Sequence, residues 1–252
     1  MDQVRFFGTT GDKDLMFSNC LSAGGLYLEV NKKKIIMDPG PGTFNNFVET
    51  FPGDIKKLDA VILSHVHFDH STDVNAMIEG MTDGGNLRRG TLITSDSAYS
   101  GETIHDYLKE YPEKVWLVDK QTRNNFGDME IIAVKHYHGI PNYGFIFSFE
   151  KKRIAIITDT TFFDNIIESY SDSTTMIINV PYYIFPEGKK PKHLCIADVK
   201  KIVRGIRPKK IILTHFGRSI CDAGIDFVAK ELESQVGIET IAAVKNKVYE
   251  LI

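Results

Sequence analysis

A short segment in the first third of the chain constrains the fold and the chemistry more than any other feature. It reads AVILSHVHFDHST from Ala60 to Thr72, so four metal-capable side chains follow an apolar, strand-like run within six residues. Those four side chains are His65, His67, Asp69 and His70. Functional groups of layered α/β proteins collect where buried strands end, and this segment has that form.

The spacing within the segment favours two metal ions over one. Side chains in extended backbone alternate with a period of two, so His65 and His67 project to the same side and can chelate one cation. Asp69 and His70 begin the next turn and can reach a second cation. Imidazole and carboxylate ligands suit zinc, with manganese or iron as lesser alternatives. A single histidine is more often an ordinary surface or core residue. Three histidines and an aspartate within six residues are poorly explained in that way.

Length and composition indicate one globular domain that spans residues 1–252. The chain has 42% hydrophobic and 25% charged residues, which is typical of a soluble globular protein. We find no linker, low-complexity tract or short repeat. Strand-like runs alternate with helical patterns at residues 72–79, 101–111, 196–205 and 222–236. This order predicts a layered α/β sandwich.

Net charge, apolar runs and cysteine spacing indicate which partners and which cellular location to expect. With 30 basic and 33 acidic residues the net charge is −3, which argues against a protein that coats nucleic acid or an anionic membrane. The sequence shows no secretory signal pattern and no apolar run of roughly 18 residues, so we expect a cytoplasmic protein. Cys20, Cys195 and Cys221 lack a CxxC spacing, and we expect them to be reduced and mostly buried.

The HVHFDH segment matches the HxHxDH signature of the metallo-β-lactamase superfamily, and the chain resembles that family over nearly its whole length. Further matching segments lie in the family's order at residues 7–11, 37–43, 138–145, 157–160 and 213–216. The resemblance is closest to the phosphodiesterase branch, which contains ribonuclease Z and the PhnP-type cyclic phosphodiesterases. It implies a four-layer αββα sandwich.

The resemblance also implies a set of seven metal ligands that holds two Zn²⁺ per chain, or Mn²⁺ or Fe²⁺ in their place. One zinc would be bound by His65, His67 and His138, the other by Asp69, His70 and His215, with Asp159 bridging them. The residues themselves support two of the later ligands, since Asp159 and His215 each come directly after a buried apolar strand. Asp159 taken alone could instead be a turn or cap residue.

His136 competes with His138 for the place of the third histidine, because both lie on the same face of one strand. The resemblance decides between them, since the family's third histidine precedes a glycine–aromatic pair by six positions and Gly144 fits His138. We interpret His136 as a residue behind the ligands or facing solvent. His105 lies in a helical pattern, and we interpret it as a surface residue.

The resemblance assigns roles to three further residues. Asp38 would orient a ligand histidine through its second ring nitrogen, although the residues alone give equal weight to a turn role. His193 would be the general acid for the leaving oxygen or would stabilise phosphoryl charge, and a helix-start histidine is its alternative. We expect Asp69 to be a catalytic residue, like His193, in addition to being a metal ligand.

Several residues are candidates for substrate binding. Arg88, Arg89 and Lys192, together with Lys189 and Lys190, could form a rim for an anionic substrate, and they fit solvated surface charge equally well. The aromatic residues Tyr182, Tyr183 and Phe185 could stack a nucleobase, although aromatic loop residues are more often core or dimer contacts.

These observations predict a dinuclear-metal hydrolase, in first place a phosphodiesterase that acts through a metal-bound hydroxide on a small phosphodiester such as a cyclic nucleotide or sugar phosphate. The alternatives are a tRNA 3′-processing endonuclease, a lactonase or a thioesterase, and retention of all seven ligands argues against a scaffold without turnover. Bacterial ribonuclease Z carries a tRNA-gripping arm between the third histidine and the bridging aspartate, whereas in this chain Asp159 follows His138 by only 21 positions. We therefore expect a small-molecule substrate and no membrane partner, and RNA could be bound through the partner subunit of a homodimer.

Overall fold

The computed structural model describes residues 1–18, 21–188 and 191–252. The chain forms two compact units. The first unit contains Met1–Gly8, Leu21–Thr122 and Lys245–Glu250, and the second contains the described residues of Thr9–Cys20, Arg123–Val244 and Leu251–Ile252.

Both units combine strands and helices. Over the described residues the strands are β1 Gln3–Phe6, β2 Leu26–Val30, β3 Lys33–Met37, β4 Ala60–Ile62, β5 Thr91–Thr94, β6 Lys114–Leu117, β7 Arg123–Phe126, β8 Met129–Tyr137, β9 Pro141–Phe149, β10 Lys152–Ile157, β11 Thr175–Asn179, β12 Lys210–Thr214, β13 Glu239–Ala242 and β14 Val248–Glu250. The α-helices are α1 Lys13–Phe17, α2 Thr43–Thr50, α3 Phe68–Ser71, α4 Val74–Met81, α5 Asp96–Ser100, α6 Ile166–Ser169, α7 Ile196–Ile206, α8 Arg218–Ala223 and α9 Ile225–Val236. Short 3₁₀ turns cover Ile55–Lys57 and Asp106–Leu108.

The first unit contains a mixed sheet in the order β14-β1-β2-β3-β4-β5-β6. Pairing is antiparallel from β14 to β3 and parallel from β3 to β6. Every residue of β4 is buried, which is expected of a central parallel strand covered on both faces. Phe47 of α2 and Met77 of α4 pack with Leu92 of β5 in the core of this unit.

The second unit contains a mixed sheet in the order β13-β12-β11-β10-β9-β8-β7. Pairing is parallel from β13 to β10 and antiparallel from β10 to β7. Val199 of α7 and Leu232 of α9 pack with Ile178 of β11 and Tyr170 in the core of this unit. Each unit therefore has the α/β class predicted from the sequence.

The predicted helices at residues 196–205 and 222–236 correspond to α7 and α9. In α7, Ile196, Val199 and Ile202 share the buried face, and Asp198 accepts a hydrogen bond from the backbone N–H of Cys195 at the helix start. The chain leaves α9 at Gly237, whose φ of 70° is the left-handed conformation that glycine adopts readily at a helix end.

The predicted helix at residues 101–111 is wrong. The structure has only the short turn Asp106–Leu108 in this range, because Asn75 of α4 holds the preceding backbone in another conformation. The Asn75 side chain donates to the carbonyl of Thr103 and accepts from the N–H of His105. His105 itself is exposed, as expected.

Cys195 is a free, buried cysteine and Cys221 is free and partly buried, whereas Cys20 lies outside the described residues. None of the helices in the described part of the chain has both the length and the apolar character that a membrane crossing needs.

Candidate metal centre

The predicted ligands of the first unit lie directly after β4. We call His65, His67, Asp69 and His70 the amino-terminal ligand group. Asp69, His70 and His65 are buried, and α3 begins within the group. Nε2 of His65 lies 3.1 Å from Nδ1 of His67, close to the separation of about 3.3 Å between two nitrogens on one tetrahedral zinc.

Asp38 lies at the end of β3, with a left-handed φ of 49°, and holds two parts of this group. Its Oδ2 is 3.0 Å from Nδ1 of His70 and also accepts the hydroxyl of Ser64 at 2.7 Å. Its Oδ1 accepts the backbone N–H of Ser64 at 2.7 Å. The carboxylate thus fixes the ring of His70 through Nδ1, so Nε2 is the nitrogen that could coordinate a metal.

Ser64 fixes His65 in the same way. Oγ of Ser64 has one proton, which it donates to Asp38, so its contact of 2.9 Å with His65 is donated by Nδ1–H of the imidazole. Nε2 of His65 then carries the lone pair that a metal needs. Coordinating atoms of Asp38, His65 and His70 all lie within 4.8 Å of one another.

The predicted ligands of the second unit follow three strands of its sheet. We call His138, Asp159 and His215 the carboxy-terminal ligand group, and all three residues are buried. His138 follows β8, Asp159 follows β10 and His215 follows β12. β10 and β12 run parallel on either side of β11, so the residues that follow them meet at one edge of the sheet, which brings Asp159 and His215 together.

The carboxylate of Asp159 contacts both histidines of its group. Its Oδ1 lies 3.2 Å from Nε2 of His215, and its Oδ2 lies 3.5 Å from Nε2 of His138. Asn179, at the end of β11, donates to Oδ1 at 3.0 Å. Nδ1 of His138 donates to the backbone carbonyl of Lys192 at 2.7 Å, so Nε2 is again the nitrogen left for a metal.

The glycine-rich opening of the chain accommodates His215. A Cβ on Gly11 would overlap the imidazole ring of His215, so a side chain at this position has no room. The backbone around the ring is fixed by Phe216, whose N–H donates to Thr9 at 2.7 Å and whose carbonyl accepts the hydroxyl of Thr10 at 2.7 Å. His215 has a φ of 66°, which a non-glycine residue adopts only where its surroundings impose it.

His193 lies beside the carboxy-terminal ligand group. Its Nδ1 is 3.8 Å from Oδ2 of Asp159, and its ring centroid is 4.6 Å from that of His138. Its side chain is 22% exposed, unlike the buried ligands, so it can meet a substrate. Coordinating atoms of His138, Asp159 and His193 also lie within 4.8 Å of one another.

The candidate substrate residues have different surroundings. Lys192 is exposed, and its side chain passes over Gly139, next to His138. Arg88 is exposed and lines a surface cavity that Glu110 and Glu113 also line, an environment typical of solvated charge. Arg89 is partly buried in the same loop, and Lys189 and Lys190 lie outside the described residues. Tyr182 lies 5.7 Å from Phe185 and 6.0 Å from His193 between ring centroids, and Tyr183 donates its hydroxyl to Glu231.

His136 is not exposed, so the solvent-facing interpretation is wrong. Its ring is 2% exposed and lies between the hydroxyls of Thr158 and Tyr170, at 3.0 and 2.6 Å. Burial lowers the pKa of His136 to about 3, which keeps the imidazole neutral.

Ser64 and Asn179 were not predicted from the sequence, and Gly11 was noted only as part of the matching segment at residues 7–11. Asn179 ends a buried strand, as Asp159 does, so the strand-end rule could have found it. Ser64 directly precedes the first histidine, but its bond to Asp38 depends on the pairing of β3 with β4.

Comparison with known proteins gives the family. Residues 33–216 match the β-lactamase superfamily domain. The uncharacterized protein MJ1374 of Methanocaldococcus jannaschii is 26% identical over 252 residues, covering 96% of this chain and 92% of that protein. Ribonuclease Z of Thermococcus sibiricus is 29% identical over 158 residues, covering 61% of this chain and 50% of that protein, so the match spans half of the relative's length.

Solved structures show the same fold. The metallo-β-lactamase fold protein YhfI of Bacillus subtilis has a TM-score of 0.80 at 18% identity, covering 98% of both chains. A diphosphatase of the PhnP family has a TM-score of 0.73 at 16% identity, covering 100% of this chain and 98% of that one. The predicted α/β metallo-β-lactamase fold is confirmed, and the histidine and aspartate groups of each unit are able to bind metal. The chain belongs to the β-lactamase superfamily and is a metal-dependent hydrolase.

Proposed function

We propose that the chain is a dinuclear-metal phosphodiesterase that hydrolyses a small phosphodiester. The observation that carries the proposal is the position of Asp159 between His138 and His215. One carboxylate oxygen faces each histidine, at 3.5 and 3.2 Å from the two Nε2 atoms. A carboxylate placed in this way is suited to bridge two cations, each held by one of the histidines.

The ligand assignment follows the resemblance. By that resemblance, one ion would be held by His65, His67 and His138, the other by Asp69, His70 and His215, and Asp159 would be a ligand of both. Zinc fits this set of imidazoles and carboxylates, and three of the five imidazoles have their second nitrogen bonded to a hydroxyl, a carboxylate or a carbonyl, namely those of His65, His70 and His138. Two zinc ions supply Lewis-acid polarisation of phosphoryl oxygens and activate water near neutral pH.

The residues of the chain supply the remaining functions. Asp38, Ser64 and the carbonyl of Lys192 hold three ligand rings in one tautomer and orientation. His193 protonates the leaving oxygen, since it is the partly exposed imidazole beside Asp159. The ammonium group of Lys192 attracts the anionic substrate toward His138.

One observation favours a phosphate ester or anhydride as substrate, and two others favour a small one. Ribonuclease Z and the PhnP-family diphosphatase, two proteins similar to this chain, have names that denote cleavage of phosphate esters or anhydrides. Asp159 follows His138 by 21 positions, and most of this interval is taken up by β9, β10 and the turn at Glu150 and Lys151, which leaves no room there for a tRNA-gripping arm. The net charge of −3 also disfavours a folded RNA, which binds largely through phosphate neutralisation.

Metal analysis and a substrate panel test the proposal. We expect about two equivalents of zinc per chain after reconstitution, and Asp159→Ala should lower occupancy at both positions. The zinc-loaded protein should hydrolyse bis(p-nitrophenyl) phosphate and a cyclic nucleotide or sugar phosphodiester. One equivalent in the intact protein would contradict the dinuclear site. Efficient trimming of a 3′-extended tRNA without hydrolysis of any small diester would favour the ribonuclease Z alternative, and turnover of lactones or thioesters alone would exclude a phosphodiesterase.

A further inference from the structure

A buried series of hydrogen bonds runs through the second unit and ends at Asp159. The hydroxyl of Tyr170 is 2.6 Å from Nε2 of His136, and Nδ1 of His136 is 3.0 Å from Oγ1 of Thr158. Thr158 donates to Oδ1 of Asn142 at 3.2 Å, and Nδ2 of Asn142 donates to the backbone carbonyl of Asp159 at 2.5 Å. All four side chains before Asp159 are at most 2% exposed.

The direction of donation in this series is fixed. Thr158 has one hydroxyl proton, shared between Asn142 and the carbonyl of Tyr143 at 3.0 Å, so Nδ1–H of His136 must donate to Thr158. Nε2 of His136 is therefore an acceptor, and Tyr170 donates to it. Asn142 accepts the N–H of Tyr143 and the hydroxyl of Thr158 on Oδ1, which orients its NH₂ group toward Asp159.

The series ends beyond the point where the pairing of β9 with β10 stops. The ladder between β9 and β10 has its last pair at Phe145 and Ile156, so Asp159 lies beyond it. Asn142 replaces the missing backbone partner of Asp159 with its own side chain. The position of the Asp159 carboxylate consequently depends on Asn142, and the orientation of Asn142 depends on Thr158.

Gly144 of β9 makes room for the start of the series. A Cβ on this residue would overlap both the hydroxyl of Tyr170 and Nε2 of His136. Glycine is unfavourable in the middle of a strand, and buried polar groups are costly unless every one is bonded. A core of apolar side chains would avoid both costs, so packing alone does not explain this arrangement.

We propose that Tyr170 and His136 are positioning residues that act through Thr158 and Asn142 to hold Asp159 in the geometry required for metal binding. The inference rests on the proposed function of Asp159 as a metal ligand. It requires that the tyrosine hydroxyl, which touches no ligand of either group, affects metal affinity.

Tyr170→Phe tests this, because it keeps the ring in the core and removes one O–H. We expect the dissociation constant for Co²⁺ binding to rise about tenfold, which is the lower end of the range for losing a residue that supports a metal ligand. The visible absorption spectrum of the bound Co²⁺ should change as well. Thr158→Val should have the same effect, and Thr158→Ser, which keeps the hydroxyl, should restore wild-type affinity. In metal-free protein, the ¹⁵N shifts of His136 should show Nδ1–H in the wild type and a different pattern in Tyr170→Phe.

Ser173→Ala is the matched control. It removes another buried hydroxyl of the same region, which donates to the backbone carbonyl of Tyr170 at 2.7 Å and takes no part in the side-chain hydrogen bonds of the series. Ser173→Ala should lower thermal stability about as much as Tyr170→Phe does. It should leave the affinity for Co²⁺ and the Co²⁺ spectrum unchanged. Equal metal affinity and spectra for wild type, Tyr170→Phe and Thr158→Val would overturn the inference while the proposed function stands. Absence of Co²⁺ binding by the wild type would overturn both.

Discussion

Nδ1 of His70 lies 3.0 Å from Oδ2 of Asp38, a carboxylate that comes 32 residues earlier in the chain and at the end of a different strand. Asp38 accepts three hydrogen bonds in all, because Ser64 donates its N–H and its hydroxyl to the same group. One buried carboxylate therefore orients His70 directly and His65 through Ser64. Asp38 thus fixes the orientation of two histidines of the amino-terminal ligand group.

Asp38→Asn should weaken metal binding about 10- to 100-fold, because the amide presents an N–H₂ group where His70 or Ser64 requires an acceptor. Zinc affinity measured by competition with a chelator checks this. Asp54→Asn is a suitable control, since Asp54 is a surface residue of the same unit that pairs with Lys57. Unchanged zinc affinity in Asp38→Asn would contradict the role of this carboxylate.

Gly11→Ala should displace His215 and lower metal occupancy. The added Cβ overlaps the imidazole, and the surrounding backbone cannot yield easily because Phe216 is bonded to Thr9 and Thr10. Gly53→Ala serves as the control: its φ of 77° makes a side chain unfavourable by about 1–2 kcal/mol, but a Cβ there meets no atom within 4 Å. Both variants should be destabilised, and only Gly11→Ala should lose metal in elemental analysis.

Tyr170 should make the protein sensitive to alkaline pH. Burial raises the pKa of Tyr170 well above its usual value of 10.0. The unfolded chain therefore loses this proton above about pH 10 while the folded chain keeps it, so the contribution to stability is complete below pH 10 and falls as pH rises further. The fall is about 1.4 kcal/mol per pH unit for one group.

Denaturant unfolding of wild type and Tyr170→Phe between pH 9 and 11.5 measures this contribution. The variant should be less stable at pH 8, since His136 loses a buried partner at a cost of about 1–3 kcal/mol. The difference from the wild type should narrow above pH 10. Tyr27, whose burial also raises its pKa, remains in both proteins and gives a common background. A constant difference across the range would contradict the assignment.

Apolar strands and the residues directly after them were predictable from the sequence. The run from Ala60 to Leu63 identifies β4, and its position places His65 at the strand end. β7 was not predicted, since Arg123–Phe126 is polar and mostly exposed and becomes a strand only by pairing with β8. Long-range bonds likewise decided residues 101–111, where Asn75 competes with helix formation.

The same distinction applies to the site. Ligand types and their order follow from local sequence, whereas the contacts that orient them join distant strands. Asn179 reaches Asp159 because β10 and β11 are parallel neighbours, and Lys192 reaches His138 with a backbone carbonyl that any residue would offer. No residue pattern in one sequence encodes a carbonyl contact of this kind.

His193→Ala should keep its metal and lose turnover. His193 lies 3.8 Å from Asp159 and is 22% exposed, so we expect it to act on the leaving group, and loss of a general acid costs about 10²- to 10⁴-fold in rate. The loss should be large for a diester with an alkoxide leaving group and small for bis(p-nitrophenyl) phosphate, whose leaving group needs no proton.

The competing interpretation is that His193 binds metal itself, since one of its ring nitrogens lies within 4.8 Å of a ring nitrogen of His138 and a carboxylate oxygen of Asp159. The two are separated by measuring zinc content and kcat for both substrates on the same preparation: a lost equivalent of zinc makes His193 a ligand, and an unchanged rate on the poor leaving group removes it from the reaction.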